Sequence, residues 1–200
     1  MVDRQVACVY FVTHPEVGID PTIPVSEWPL SPRGRERMRA LLNQPWLQGI
    51  RTVWCSTERK ALDGAEIIGK AIGSKPRSLA TLNENDRTAT GYLPKAEFEA
   101  TADAFFANPL ESVRGWEKAA DAQVRIVAAI RTILTDNAAG GDIAVVSHGG
   151  VGALLLCWLK SCPIGRTEDQ PGEGGGNYYC FERDTYSLRH DWLPIDVVNS

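Results

Sequence analysis

The hydrophobic pattern alternates between two kinds of segment. Val6–Thr13 (VACVYFVT) is an almost unbroken β-branched and aromatic run, the mark of a strand buried on both faces, and it stops at His14-Pro15. Ser31-Pro32 then opens a helix expected to reach about Asn43, with serine as cap and proline in the first turn. Thr52–Cys55 reads as a second strand. It is followed by a helix capped by Ser56 or Thr57, with Ala61, Ala65, Ile68 and Ile72 at helical spacing and Gly73 as its stop. Arg77–Ala80 is a short third strand. Residues 81–95 are polar and irregular, a loop length that usually carries function.

Helical periodicity returns at Glu97–Ala107 and again at Gly115–Asp136, where Ala119, Val124, Ile126, Val127, Ile130, Ile133 and Leu134 form a broad apolar face. After Gly140-Gly141, Asp142–Ser147 is another buried strand, and His148-Gly149-Gly150 leads into a helix over Val151–Lys160. A Gly/Pro-rich stretch to Gly176 precedes Asn177–Glu182 and Tyr186–Trp192, a closing hairpin around Arg183-Asp184. Strands alternating with helices imply an α/β fold, three layers (α/β/α) around a mostly parallel sheet, with ligands at the carboxyl ends of the strands. His14, Ser56–Lys60 and His148 each follow a strand and are thereby delivered to one edge.

Composition narrows the options. At 200 residues the chain suits one domain, and a net charge of -4 with both signs interspersed offers no basic field for nucleic acid or an anionic membrane. The apolar run at Val151–Leu159 is far below the roughly 20 residues of a spanning helix, and the residues from Met1 lack a signal-peptide core. Five cysteines without a C-x-x-C pair read as buried thiols, so the expected setting is a reducing cytoplasm. No His/Cys cluster has zinc spacing, so neither metal nor cofactor is expected. Gly64-x-x-x-x-Gly69-Lys70 resembles the start of a phosphate loop but lies inside a predicted helix and continues with Ala71, so it is read as coincidence. His190 is expected to be an exposed strand residue.

The chemistry rests on two of the three histidines. His148-Gly149-Gly150 at a helix start provides N–H donors and the positive end of the dipole, an anion site. A neutral imidazole can attack phosphorus and hold the phosphoryl group if donors absorb the charge on its oxygens. Glu84, in the functional loop, is the candidate acid for the leaving oxygen and base for water.

A buried strand ending in His14, then Pro29-Leu30-Ser31-Pro32-Arg33-Gly34-Arg35, Cys55-Ser56-Thr57-Glu58-Arg59-Lys60-Ala61, Leu82-Asn83-Glu84 and Val146-Ser147-His148-Gly149-Gly150 together resemble the histidine phosphatase superfamily, phosphoglycerate mutase-like branch. The resemblance spans nearly the whole chain. It implies that His14 is the phosphorylated nucleophile, Glu84 the proton donor and His148 the second histidine, with Thr13, Arg59, Lys60 and Gly149 around the phosphate of a small phosphorylated substrate. Two departures stand out: the family's Arg-His-Gly is Thr13-His14-Pro15 here, and its second phosphate-binding arginine is Lys60, a point donor that cannot clamp two oxygens in a plane. Arg59 or Arg87 is available to replace the missing charge.

The expected activity is metal-independent phosphomonoester hydrolysis. The alternatives are a catalytically impaired member that binds a phosphorylated ligand without turnover, and a phosphoglycerate-type mutase, which the compact chain disfavours. Residues 85–116 are expected to form a small cap carrying Tyr92, Phe98, Phe105, Phe106 and Trp116. The sequence leaves the oligomeric state open.

Overall fold

The computed structural model describes residues 6–137 and 140–198. The reading of the first four residues therefore falls outside the described part. Six strands form one sheet: β1 (Cys8–Thr13), β2 (Ile50–Cys55), β3 (Arg77–Ser78), β4 (Asp142–Ser147), β5 (Asn177–Glu182) and β6 (Leu188–Pro194), in the spatial order β3-β2-β4-β1-β5-β6. The first four are mutually parallel; β5 and β6 add an antiparallel edge. Five helices accompany them: α1 (Pro32–Ala40), α2 (Arg59–Ile72), α3 (Lys95–Ala107), α4 (Ala119–Asp136) and α5 (Gly149–Leu159).

Strand alternation sorts the core into two layers. Val9 and Phe11 of β1, Ile143 and Val145 of β4 and Tyr179 and Phe181 of β5 face α4 and α5, meeting Ile126, Ile130, Ile133, Val151 and Leu155. The intervening Val12, Val53, Ala144 and Val146 face α1 and α2, meeting Met38, Ala61, Ala65 and Ile68. The α/β/α sandwich expected from the sequence is thus present. A third cluster packs Phe105 and Phe106 of α3 with Trp116 against Ala119, Ala122, Ala153 and Leu154, so these rings are core, and the 85–116 segment is seated on α4 and α5.

Several boundaries differ from expectation. Ser31 does cap α1, accepting from Gly34 N at 3.0 Å, but the helix ends at Ala40 and continues as a 3-10 turn over Leu41–Asn43. Helix α2 begins one or two residues later than predicted, with Glu58 as its cap residue, because Ser56 and Thr57 are engaged by the Asn83 side chain instead. Helix α4 starts at Ala119, since Glu117 is pulled out to Arg125 and to Asp86 N. Val124, placed on the apolar face by periodicity, is 70% exposed. His190 is half-buried, its ring edge against Tyr178. The Gly64–Lys70 segment lies within α2, and all five cysteines are free thiols, four of them buried.

Candidate active site

Register alone brings the two histidines together. Thr13 of β1 pairs with Ser147 of β4, and the ladder extends one step further as His14 N donates to Ser147 O at 3.1 Å. His14 and His148 therefore leave adjacent parallel strands side by side, with ring centroids 5.1 Å apart and planes at 72°. The end of β2 joins them, because Ser56 N donates to Val146 O at 3.0 Å. This is the switch point of the sheet, where β1 and β4 lead to helices on opposite faces.

A cleft of about 1050 Å³ opens at this edge, lined at its base by His14, Glu58, Lys60 and Glu84 and at its flank by Asn85, Arg87 and Arg125. His14 is oriented by its own turn: Nδ1 lies 2.9 Å from Pro15 O, so the proton sits on Nδ1 and the lone pair is left on Nε2. Burial, reinforced by the charge of Lys60, lowers its pKa to about 4. The ring is neutral at pH 7. His148 is fully buried and also held neutral, its pKa pushed down to about 3 by burial despite the nearby Glu58 carboxylate; its Nε2 meets Ser56 Oγ at 2.8 Å and Glu58 Oε1 at 3.4 Å.

Glu58 and Lys60 form a buried ion pair, with Lys60 Nζ also donating to Val25 O at 2.8 Å. Glu58 further accepts from Glu84 N at 2.9 Å. Burial opposes its charge, but His148, Lys60 and these hydrogen bonds prevail and hold its pKa at about 2. Glu84 lies against the start of α5, where Oε2 accepts from Gly150 N at 3.1 Å and Oε1 from Val151 N at 3.0 Å. A side chain at 150 would place its Cβ 2.7 Å from Glu84 Oε1, which is why glycine is needed there; at Gly149 a Cβ would overlap Gln170 Nε2. Arg125 fixes the approach of this loop by donating to the carbonyls of Thr81, Asn83 and Glu84 while paired with Glu117.

The residues expected at the site are distributed unevenly. His14, Lys60 and Glu84 line the cleft, and His148 stands immediately behind His14. Gly149 opens α5, beneath Gln170. Thr13 is turned into the protein: its hydroxyl meets Gln170 Oε1 at 2.7 Å and accepts from Asn177 N at 3.0 Å. Arg59 is absent from the cleft lining; it is exposed and pairs with Asp63 at 3.0 Å, one helical turn on. Adjacent helical residues point about 100° apart, so Lys60 goes in and Arg59 goes out. Arg87 occupies the flank, its guanidinium 5.1 Å from the Phe98 ring and 5.6 Å from Trp116, and no carboxylate pairs with it among the described residues. Asn85 is almost fully buried in the cleft wall, and its Nδ2 has no partner among the described residues.

Nothing in the sequence pattern singles out Glu58, Asn85, Arg125 or Gln170 for a role. Glu58 is enclosed by residues distant in sequence, His148 and the Glu84 backbone, together with Lys60. Among the described residues no group of three His, Cys, Asp or Glu is placed to hold a metal ion, and no helix is long and apolar enough to cross a membrane.

A family model for the histidine phosphatase superfamily (branch 1) matches residues 18–187. The chain belongs to this superfamily. The matched segment contains Glu58, Lys60, Glu84, Arg87 and His148 and begins after His14. Solved structures of similar fold include Bacillus stearothermophilus YhfR (22% identity, TM-score 0.78, covering 96% of this chain and 98% of that one) and a mycobacterial glucosyl-3-phosphoglycerate phosphatase (19%, 0.73, 98% and 100%). An alpha-ribazole phosphatase from Shigella flexneri is also similar (16%, 0.69, 96% and 98%). No curated protein matches the sequence. For this histidine phosphatase superfamily member, the fold is that of the phosphoglycerate mutase-like enzymes.

Proposed function

We propose that this protein hydrolyses phosphomonoesters through a phosphohistidine at His14. The observation that carries the reading is the state of that ring: neutral, with Nδ1 tied to Pro15 O and Nε2 left as a nucleophile in the cleft beside His148. In the first step the Nε2 lone pair attacks phosphorus in line, the bond from phosphorus to the ester oxygen breaks, and Glu84 gives its proton to the departing alkoxide. In the second, Glu84 takes a proton from water, whose oxygen attacks the phosphorus and returns the electron pair to Nε2, releasing inorganic phosphate.

The charge on the transferred group needs donors that the Thr13-His14-Pro15 segment does not supply. Arg87 takes that role in this reading, because Lys60 is already neutralised by Glu58, while Arg87 faces the cleft without a carboxylate and its charge is felt at His14. The buried Nδ2 of Asn85 is a second donor with nothing else to bind. The same Glu58–Lys60 pairing also favours the runner-up, a member that holds a phosphorylated ligand without turning it over.

The deciding experiment measures phosphate release from simple phosphomonoesters with chelator present, comparing the protein with His14→Ala. Release that disappears with His14 is the expected result. Equal release by both proteins removes His14 as the nucleophile, and release by neither moves the reading to ligand binding.

A further inference from the structure

The cleft continues beyond the residues used above. Away from His14 it is walled by Val17, Ile19, Val25, Trp28 and Tyr92, contributed by two loops distant in sequence. Trp28 and Tyr92 face each other with ring centroids 5.6 Å apart, and the Trp28 indole N–H is already satisfied by Asp20 O at 2.7 Å. What these rings offer the cleft is apolar surface. Ile19 and Tyr92 are 60% and 42% exposed, and with Val17, Val25 and Trp28 they form one contiguous wall of the cleft.

The charges of the lining point the same way. Lys60 is paired with Glu58, Lys95 with Glu173 and Arg125 with Glu117, so Arg87 is the one cation of the lining without a carboxylate partner among the described residues. Asp86, with no cation paired to it among the described residues, adds negative charge to the same walls. One phosphate can be compensated here; a second anionic group on the same molecule meets carboxylates or rings.

We propose that the Val17–Trp28 and Tyr92 walls bind the apolar, ring-bearing alcohol portion of a substrate that carries a single phosphate, and that the site discriminates against bisphosphates and phosphorylated carboxylic acids. As a substrate assignment this rests on the phosphatase reading; as a binding site it is testable without turnover. The ester oxygen sits toward Glu84 and Arg87, and the ring lies against the exposed surface of Tyr92 and Ile19, which Trp28 backs.

The test uses three phosphonates that cannot be hydrolysed, titrated calorimetrically: ethylphosphonate, phenethylphosphonate and 3-phosphonopropionate. Removing a phenyl group from water against these walls should tighten phenethylphosphonate over ethylphosphonate on the order of tenfold, after the cost of ordering the ligand. The account expects 3-phosphonopropionate to bind more weakly than either. It also expects the preference for the phenyl compound to fall to about threefold or less in Tyr92→Ser and Ile19→Ser, two exposed positions where loss of folding is not a concern. Equal affinity for the ethyl and phenethyl compounds, tightest binding by the phosphonocarboxylate, or no binding by any of the three overturns the proposal. Phosphate release from phenethyl phosphate is then measured separately. Selective phosphonate binding with no such release leaves the apolar site standing and removes the hydrolase reading.

Discussion

The buried Glu58–Lys60 pair gives the sharpest energetic test. Lys60 is 2% exposed and Glu58 8%, and among the described residues the one other hydrogen bond of the ammonium is to the Val25 carbonyl. Glu58→Gln keeps an acceptor for Glu84 N but leaves a buried ammonium without its counter-charge. Breaking a buried pair in this way costs about 3–5 kcal/mol, and because the pair borders an open cleft the lower end applies, about 3 kcal/mol. For a chain of this length that is a fall in Tm of about 6–12 °C. Lys60→Met should cost a similar amount by stranding the carboxylate, whereas Glu58→Gln with Lys60→Met removes both charges and should return to within about 1 kcal/mol of the parent protein. The assay is urea unfolding at pH 7.5 followed by the fluorescence of the six tryptophans. Single variants within about 0.5 kcal/mol of the parent, or additive losses in the double variant, would refute the argument that this pair is held charged and mutually dependent.

Three further outcomes follow from the same geometry. His148 folds neutral with its pKa lowered to about 3, so between that value and its ordinary 6.5 the unfolded chain binds the extra proton and stability is lost as pH falls. From pH 7.5 to pH 5 this histidine alone should cost about 2 kcal/mol, and His148→Asn should flatten the urea midpoint over that range by the corresponding amount. Arg87→Gln should weaken inhibition by inorganic phosphate and lower kcat/KM about 100-fold, while Arg59→Gln, exposed and bound to Asp63, should change either by less than about twofold. Thr13→Arg should destabilise by about 1–3 kcal/mol in thermal melts rather than raise activity, since Thr13 is fully buried and its hydroxyl holds Gln170 and Asn177; a stable variant with increased turnover would contradict this.

The layers and the edge that carries chemistry were legible because strand and helix periods differ sharply. Val6–Thr13 and Asp142–Ser147 have the continuous apolar character of central parallel strands, and each runs directly into its histidine. The roles of neighbouring charges were not legible. Glu58, Arg59 and Lys60 are three consecutive charges in sequence, and their separation into a buried pair and an outward Arg59–Asp63 bridge depends on helical rotation and on the approach of His148 and Glu84 to Glu58. Arg87 lay in a loop already marked as functional, yet its place over Phe98 and Trp116 is set by the fold of the 85–116 segment. Asn85 carried no sequence signal: what marks it is a buried amide with no partner among the described residues, a property of tertiary structure alone.

In the proposed mechanism His14 Nε2 bonds covalently to phosphorus. That bond is tested most directly by rapid mixing of the protein with phenethyl phosphate, quenching in alkali, where phosphohistidine survives, and locating the phosphoryl group by peptide mass spectrometry and phosphorus NMR. The account predicts a phosphorylated imidazole on the peptide containing His14, absent in His14→Ala and lost on acidification. Steady release of phosphate with no modified His14 at any mixing time, or turnover retained in His14→Ala, would contradict it.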